Sequence, residues 1–210
     1  MHRCALALIA AALAITGCGG QDSSTKLNGE TRFKLDGGKA VSLPAYGGGL
    51  KGDLHPLRPV KGKLMLVYFG YISCPDVCPT SMSDLAVAVR SLPAEQQKQL
   101  EVGLVTADPR RDSGAELVDY LDHFFRKQPV YGFRTTDKAE LAKAEKAFGA
   151  ASQIDPHKPG EAYTVTHTAY IYAVDRDGRI LVMWPFGTPP AEMSSDLKVL
   201  LGKQQPTANK

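Results

Sequence analysis

The apolar residues of this chain keep two different rhythms. "LMLVYF" (64–69) and "EVGLVT" (101–106) are nearly unbroken apolar runs, as expected of strands buried on both faces of a sheet. Between them, Met82, Leu85, Ala86, Val89 and Leu92 fall on one face of a helix. Ser113 and Glu116 make a capping box ahead of Leu117, Leu121 and Phe124, which predicts a second helix. A third helix is predicted over about 137–148, stopped by Gly149. "TAYIYAV" (168–174) and "RILVMW" (179–184) flank Asp175-Arg176-Asp177-Gly178 and predict a β-hairpin. Thr188 caps, and Pro189 starts, a final helix ending near Gly202.

The predicted order is β-α-β-α-α-β-β-α. Strands joined through a helix run parallel, and the hairpin then adds antiparallel strands. This order resembles the thioredoxin-like α/β fold: a mixed central sheet with flanking helices and a C-terminal β-hairpin followed by a helix. Residues 36–62 are rich in Gly, Pro and Lys and predict loops with one short strand. Residues 18–30 are polar and Gly/Ser-containing, a flexible tether. One domain is therefore expected over 31–203, with a loose tail at 204–210.

The first residues change the picture of where the domain sits. "MHRCALALIAAALAITGC" opens with a short positive start at Arg3. Ala5 to Ile15 is apolar, too short to span a bilayer and the right length for a secretory signal core. It ends in "ITGC", which resembles a bacterial lipobox. That resemblance implies a signal peptide at 1–17, cleavage before Cys18 and lipid on the Cys18 sulfur. Acyl chains on one residue would hold the protein at a membrane surface on the periplasmic side. Of the four cysteines, Cys4 then leaves with the signal and Cys18 carries lipid. Only Cys74 and Cys78 remain in the domain, so this is no disulfide scaffold. The net charge of +3 is small and no Lys/Arg cluster suggests a nucleic-acid partner.

The two domain cysteines sit in "YISCPDVCPT" (71–80), each followed by a proline. Two prolines do not sit comfortably inside one continuous helix. The expected solution is a turn through Pro75-Asp76-Val77 with the helix starting at Pro79. Cys78 would then lie exposed at the helix N-terminus, where the dipole favours a thiolate. Helical spacing would leave the two Cα atoms about 6 Å apart along the axis, and parallel Cβ vectors at that separation miss the roughly 3.8 Å Cβ–Cβ distance of a disulfide. Two sulfurs sharing a zinc-like ion stand up to about 4.6 Å apart. The spacing fits chelation easily and permits a disulfide only if the turn brings Cys74 inward.

Two thiolates do not fill a metal site. Adding an imidazole suits copper in either oxidation state. Four histidines follow the signal. His55, His123 and His157 read as surface or hydrogen-bonded residues. Only His167, at the start of the predicted hairpin, lies where a thioredoxin-like fold brings a loop against the cysteine turn. Met82 offers a thioether but reads as a core residue of its helix face.

Taken together, "FGYISCPDVCPT" (69–80), "TADPRRDS" (106–113) and "VTHTAYIYAVDRDGRI" (165–180) resemble the Sco/SenC family of copper-binding proteins, over roughly residues 31–202. The resemblance implies a membrane-tethered, extracytoplasmic thioredoxin-like domain holding one copper, as Cu(I) or Cu(II), through Cys74, Cys78 and His167. It implies a metallochaperone rather than an enzyme, serving assembly of the dinuclear copper centre of cytochrome c oxidase. Its partner would be the copper-bearing subunit of that oxidase or another copper chaperone. Thr166 stands where the family often has Asp, which removes a carboxylate beside the ligand. Asp108, Arg110 and Asp112 are matched to the family's D-P-x-R-D and read as a turn that caps the next helix.

Two alternatives remain beside the chaperone. One is a thiol–disulfide reductase using Cys74 and Cys78 as a redox pair on copper-ligating cysteines. Against it, thioredoxins have two residues between the cysteines and a proline on the opposing loop. A peroxidase of the peroxiredoxin type would need a threonine where Pro75 stands. The other alternative is a copper-responsive redox sensor.

Overall fold

The computed structural model describes residues 26–31 and 34–203. The predicted signal peptide, Cys18, the first part of the tether and the tail at 204–210 lie outside the described residues.

A single turn of 3₁₀ helix at Gly37–Ala40 leads into β1 (Ser42–Gly47) and β2 (Leu50–Pro56), an antiparallel hairpin. Then come β3 (Leu64–Gly70), α1 (Val77–Arg90), the short α2 (Ala94–Gln97), β4 (Leu100–Thr106) and α3 (Gly114–Phe124). β5 (Val130–Phe133), α4 (Lys138–Phe148), β6 (Ser152–Ile154), β7 (Val165–His167), β8 (Tyr170–Val174), β9 (Ile180–Pro185) and α5 (Pro190–Lys203) complete the chain. Seven strands form one sheet in the order β2-β1-β5-β4-β3-β8-β9, and β6 pairs with β7 in a separate ribbon.

The unbroken apolar runs are explained by position. β3 lies between β4, parallel to it from Leu64–Leu100 to Gly70–Thr106, and antiparallel β8. Its side chains alternate between two cores. Leu64, Leu66 and Tyr68 join α1, α3 and α5 on one face. Met65, Val67 and Phe69 join Phe133, Phe148 and Tyr172 on the other, under α4. Every residue of β3 and β4 is buried. The thioredoxin-like arrangement expected from the sequence is the one observed.

Local signals behave as their chemistry dictates. Ser113 caps α3 with Glu116 returning the bond to the Ser113 amide. Asp137 caps α4 and accepts from the Ala139 amide at 2.7 Å. Gly149 ends α4 at φ 65°, a left-handed cap that side chains with a Cβ resist.

Four expectations change. His167, expected at the entry to the β8–β9 hairpin, lies instead on β7 of the separate ribbon. Residues 36–62 hold a two-stranded hairpin rather than mostly loop. β2 is an edge strand whose outward Lys51 and Asp53 break the apolar pattern. β5 has only four residues, too few to show a period. Residues 27–30, read as tether, are held against the domain. Buried Asp196 accepts from Asn28 and Gly29 and from the indole of Trp184, at 2.8–2.9 Å. Glu30 bridges Met183.

Candidate metal centre

β3 ends at Gly70, and the chain turns through Tyr71 to Asp76 into α1. The Cys74 amide donates to the Tyr71 carbonyl at 3.3 Å, which closes the turn. α1 opens at Val77, two residues before the predicted Pro79. Pro79 is accommodated because amides of the first turn have no intrahelical partner to lose. The first helical bond runs from the Thr80 amide to the Asp76 carbonyl.

This start places the two sulfurs differently from expectation. The Cys78 amide, one of the unpartnered donors at the helix start, points at Cys74 Sγ at 3.3 Å. Cys78 itself turns inward and is 1% exposed, whereas Cys74 stands at the rim, 9% exposed. Burial pushes the Cys78 thiol well above its ordinary range. The expected exposed, dipole-assisted thiolate at Cys78 is therefore corrected: desolvation outweighs the helix start, and the residue rests as a neutral thiol. The space it occupies depends on Gly70, where a Cβ would lie 2.9 Å from Cys78 Sγ and 2.6 Å from the Tyr68 ring.

His167, the last residue of β7, arrives from the other side. Its Nε2 lies 3.3 Å from Cys78 Sγ and 4.0 Å from Cys74 Sγ. Its Nδ1 lies 3.2 Å from the Thr168 carbonyl. A carbonyl only accepts, so Nδ1 carries the hydrogen and Nε2 turns its lone pair to the sulfurs. Burial lowers the imidazole pKa, which keeps that lone pair free at neutral pH. The ring is set edge-on to Tyr68 and Tyr71, at 6.0 and 5.7 Å between centroids. The three donor atoms all lie within 4.8 Å of one another, and no other cluster of this kind occurs among the described residues. Two soft sulfurs and one imidazole suit copper better than a hard cation.

Residues 51–202 match the model of the SCO1/SenC family. The chain belongs to the SCO1/SenC family. Among its relatives, a SCO2-like protein of Rickettsia felis is 33% identical over 155 residues, 70% of each chain. Protein SCO1 of Saccharomyces cerevisiae mitochondria is 28% identical over 158 residues, which cover 72% of this chain and 52% of that protein. Copper-bound ScoI of Bradyrhizobium japonicum superposes with a TM-score of 0.62 at 32% identity, over 76% of this chain and 97% of that one. Copper-bound yeast Sco1 gives 0.64 at 26% identity, over 83% and 92%.

Within this SCO1/SenC chain, the other histidines among the described residues stay apart from the cluster. His55 stacks on Tyr131 at 4.5 Å, His157 stacks on Tyr163 at 4.5 Å, and His123 Nδ1 meets the Asp119 carbonyl at 2.6 Å. Met82 is core. Thr166 points away from the cluster and donates to Asp155 at 2.8 Å, so the position beside the ligand carries a ribbon contact rather than a tuning charge.

In the "DPRRD" stretch the structure changes the expected roles. Counted along D-P-x-R-D, the arginine is Arg111, not Arg110. Arg111 Nε bonds Asp108 Oδ2, and Asp108 is fully buried. Asp112 does not cap α3, since Ser113 does. Buried Asp112 instead accepts from Thr106 Oγ1 at 2.6 Å and from the Ile72 amide at 3.3 Å. It ties the end of β4 to the cysteine turn. The side chain that reaches a neighbour on another element cannot be read from a one-dimensional motif, so Arg111 escaped notice.

Proposed function

We propose that this protein is a copper metallochaperone. It carries one copper ion on Cys74, Cys78 and His167 and delivers it during assembly of the dinuclear copper centre of cytochrome c oxidase. The observation that carries this reading is the convergence of Cys74 Sγ, Cys78 Sγ and His167 Nε2, with Nδ1 tied back to Thr168. The copper-bound state of related ScoI and Sco1 supports copper as the cargo. The recipient is the copper-bearing subunit of the oxidase or an intermediate copper chaperone. Cys18 carries lipid and holds the domain on the periplasmic side of a membrane. No helix among the described residues is long and apolar enough to cross one.

The arrangement suits a carrier. Cys78 is the most deeply buried of the three donors, while half-buried His167 and Cys74 lie nearer the surface from which an ion would enter or leave. Copper displaces the thiol protons as it binds. The test loads the chain lacking residues 1–17, with Cys18→Ser, with Cu(I) and with Cu(II). One equivalent retained through desalting, and a weakened complex with an altered Cu(II) spectrum in His167→Ala, are expected. Absence of stoichiometric copper, or binding indifferent to His167→Ala, rejects the reading.

The reductase reading draws on one observation, two free cysteines whose sulfurs share a single site. The buried, protonated Cys78 opposes it, because thiol–disulfide exchange needs an accessible thiolate. Rapid turnover with a protein disulfide, together with weak copper binding, would favour it.

A further inference from the structure

The strand carrying His167 is not part of the central sheet. β7 pairs only with β6, and the loop between them spans residues 155–164. Val165 is buried in the core and Ser152 of β6 bonds Glu145 of α4; on the cysteine side the ribbon is met by a side-chain cluster around Arg111. The Arg111 guanidinium lies 3.8 Å from the Tyr163 ring centroid and 5.5 Å from that of Tyr71. Arg111 Nη1 donates to the Tyr163 carbonyl at 3.0 Å, and the Tyr163 hydroxyl donates to Asp108 Oδ1 at 3.1 Å. The Val165 amide, two residues before the candidate ligand, donates to the Tyr71 hydroxyl at 3.3 Å. Tyr71 in turn packs edge-on against the His167 ring.

We propose that Arg111 and Tyr163 are positioning residues that latch the His167 strand onto the cysteine side of the site. A planar guanidinium stacks on an aromatic ring while its rigid fork reaches two acceptors, a combination that an ammonium, with no plane to stack, does not offer. Asp108, buried and bonded to both residues, orients the pair. On its C-terminal side His167 is followed closely by β8, whose pairing with β9 anchors that end. The latch supplies the opposing hold, so that the imidazole is clamped between two fixed points. Without it, Nε2 swings with the ribbon while Cys74 and Cys78 stay in place.

The experiment uses the full chain in detergent. Amide hydrogen exchange is followed at Val165 without metal, and nitrogen hyperfine coupling is followed on the Cu(II)-loaded protein. Tyr163→Ala removes the ring and leaves the Arg111–Asp108 pair intact. Arg111→Lys keeps a charge beside Asp108 and removes the stack and fork. Each variant should speed Val165 exchange about tenfold or more, the loss of one cation–π contact and one hydrogen bond. Each should weaken the imidazole coupling while thiolate-to-Cu(II) absorption persists, a signature that general destabilisation would not produce. Unchanged Val165 exchange in both variants overturns the latch. Should Tyr163→Ala fail to fold, Arg111→Lys decides alone. The spectroscopic arm rests on His167 as a copper ligand. If the unaltered chain takes up no copper, the functional reading fails, and metal-free exchange still decides the latch.

Discussion

The two sides of the candidate site are built by different means. The cysteine side continues directly from β3, the buried central strand, into α1, and Asp112 ties it to β4. The histidine side rides on a two-stranded ribbon outside the sheet, held by β8 behind it and by the Arg111 cluster in front. A donor pair that follows directly from the central strand shares the stability of the core. A third donor on a ribbon has its own, lower local stability. The histidine side can therefore be perturbed through its ribbon contacts without disturbing the two sulfurs.

The largest expected effect comes from breaking the anchored side. Cys78→Ala should leave no copper retained through desalting, whereas His167→Ala should leave a weaker complex on the two sulfurs. Quantifying copper per protein after gel filtration checks this, and equal losses in both variants would erase the asymmetry. Next is Gly70→Ala. The added methyl would meet Cys78 Sγ and the Tyr68 ring, both buried, so overpacking should cost about 1–3 kcal/mol in denaturant unfolding. The same substitution should lower copper uptake while leaving exchange in the β6–β7 ribbon nearly unchanged.

A pH effect sharpens the contrast further. Cys78 holds its proton in the folded state above the ordinary thiol range. The folded metal-free domain therefore keeps a proton that the unfolded chain releases. Its stability should be fully present below about pH 8.5 and fall as pH rises beyond it. Thermal unfolding from pH 7 to 10 measures this, and Cys78→Ala should flatten the curve. Copper affinity runs the other way and should rise with pH, because binding expels thiol protons.

The smallest effect belongs to the ribbon surface. Thr166→Asp places a second carboxylate against Asp155 and removes the hydrogen bond Thr166 donates. A slight loss of thermal stability is expected, diminished by added salt, since both groups are exposed. Ribbon amides should exchange faster, with no change at the cysteine turn.

Much of this division was legible before any fold was known. The period change from runs to helical spacing located β3, α1 and β4. Ser113, Glu116 and Gly149 marked helix ends because capping is local chemistry, settled within a few residues. Edge strand β2 and short β5 were not legible, since neither carries enough apolar period to distinguish it from loop. Cys74, Cys78 and His167 stood out by residue type and by the motifs around them. Arg111 did not, because its aromatic partners Tyr163 and Tyr71 lie in the β6–β7 loop and the cysteine turn, far away in sequence.

By itself, then, the sequence determined which residues have metal-binding chemistry, which runs must be buried, and the ends of α3 and α4 that Ser113 and Gly149 cap. These depend on side-chain type and short-range spacing. Only the tertiary structure decided that Cys78 is a sunken neutral thiol, that the helix-start amide serves Cys74, and that His167 presents Nε2 to both sulfurs. Desolvation and orientation are properties of what surrounds a group, and those surroundings come from β3, β7 and α1 folding together.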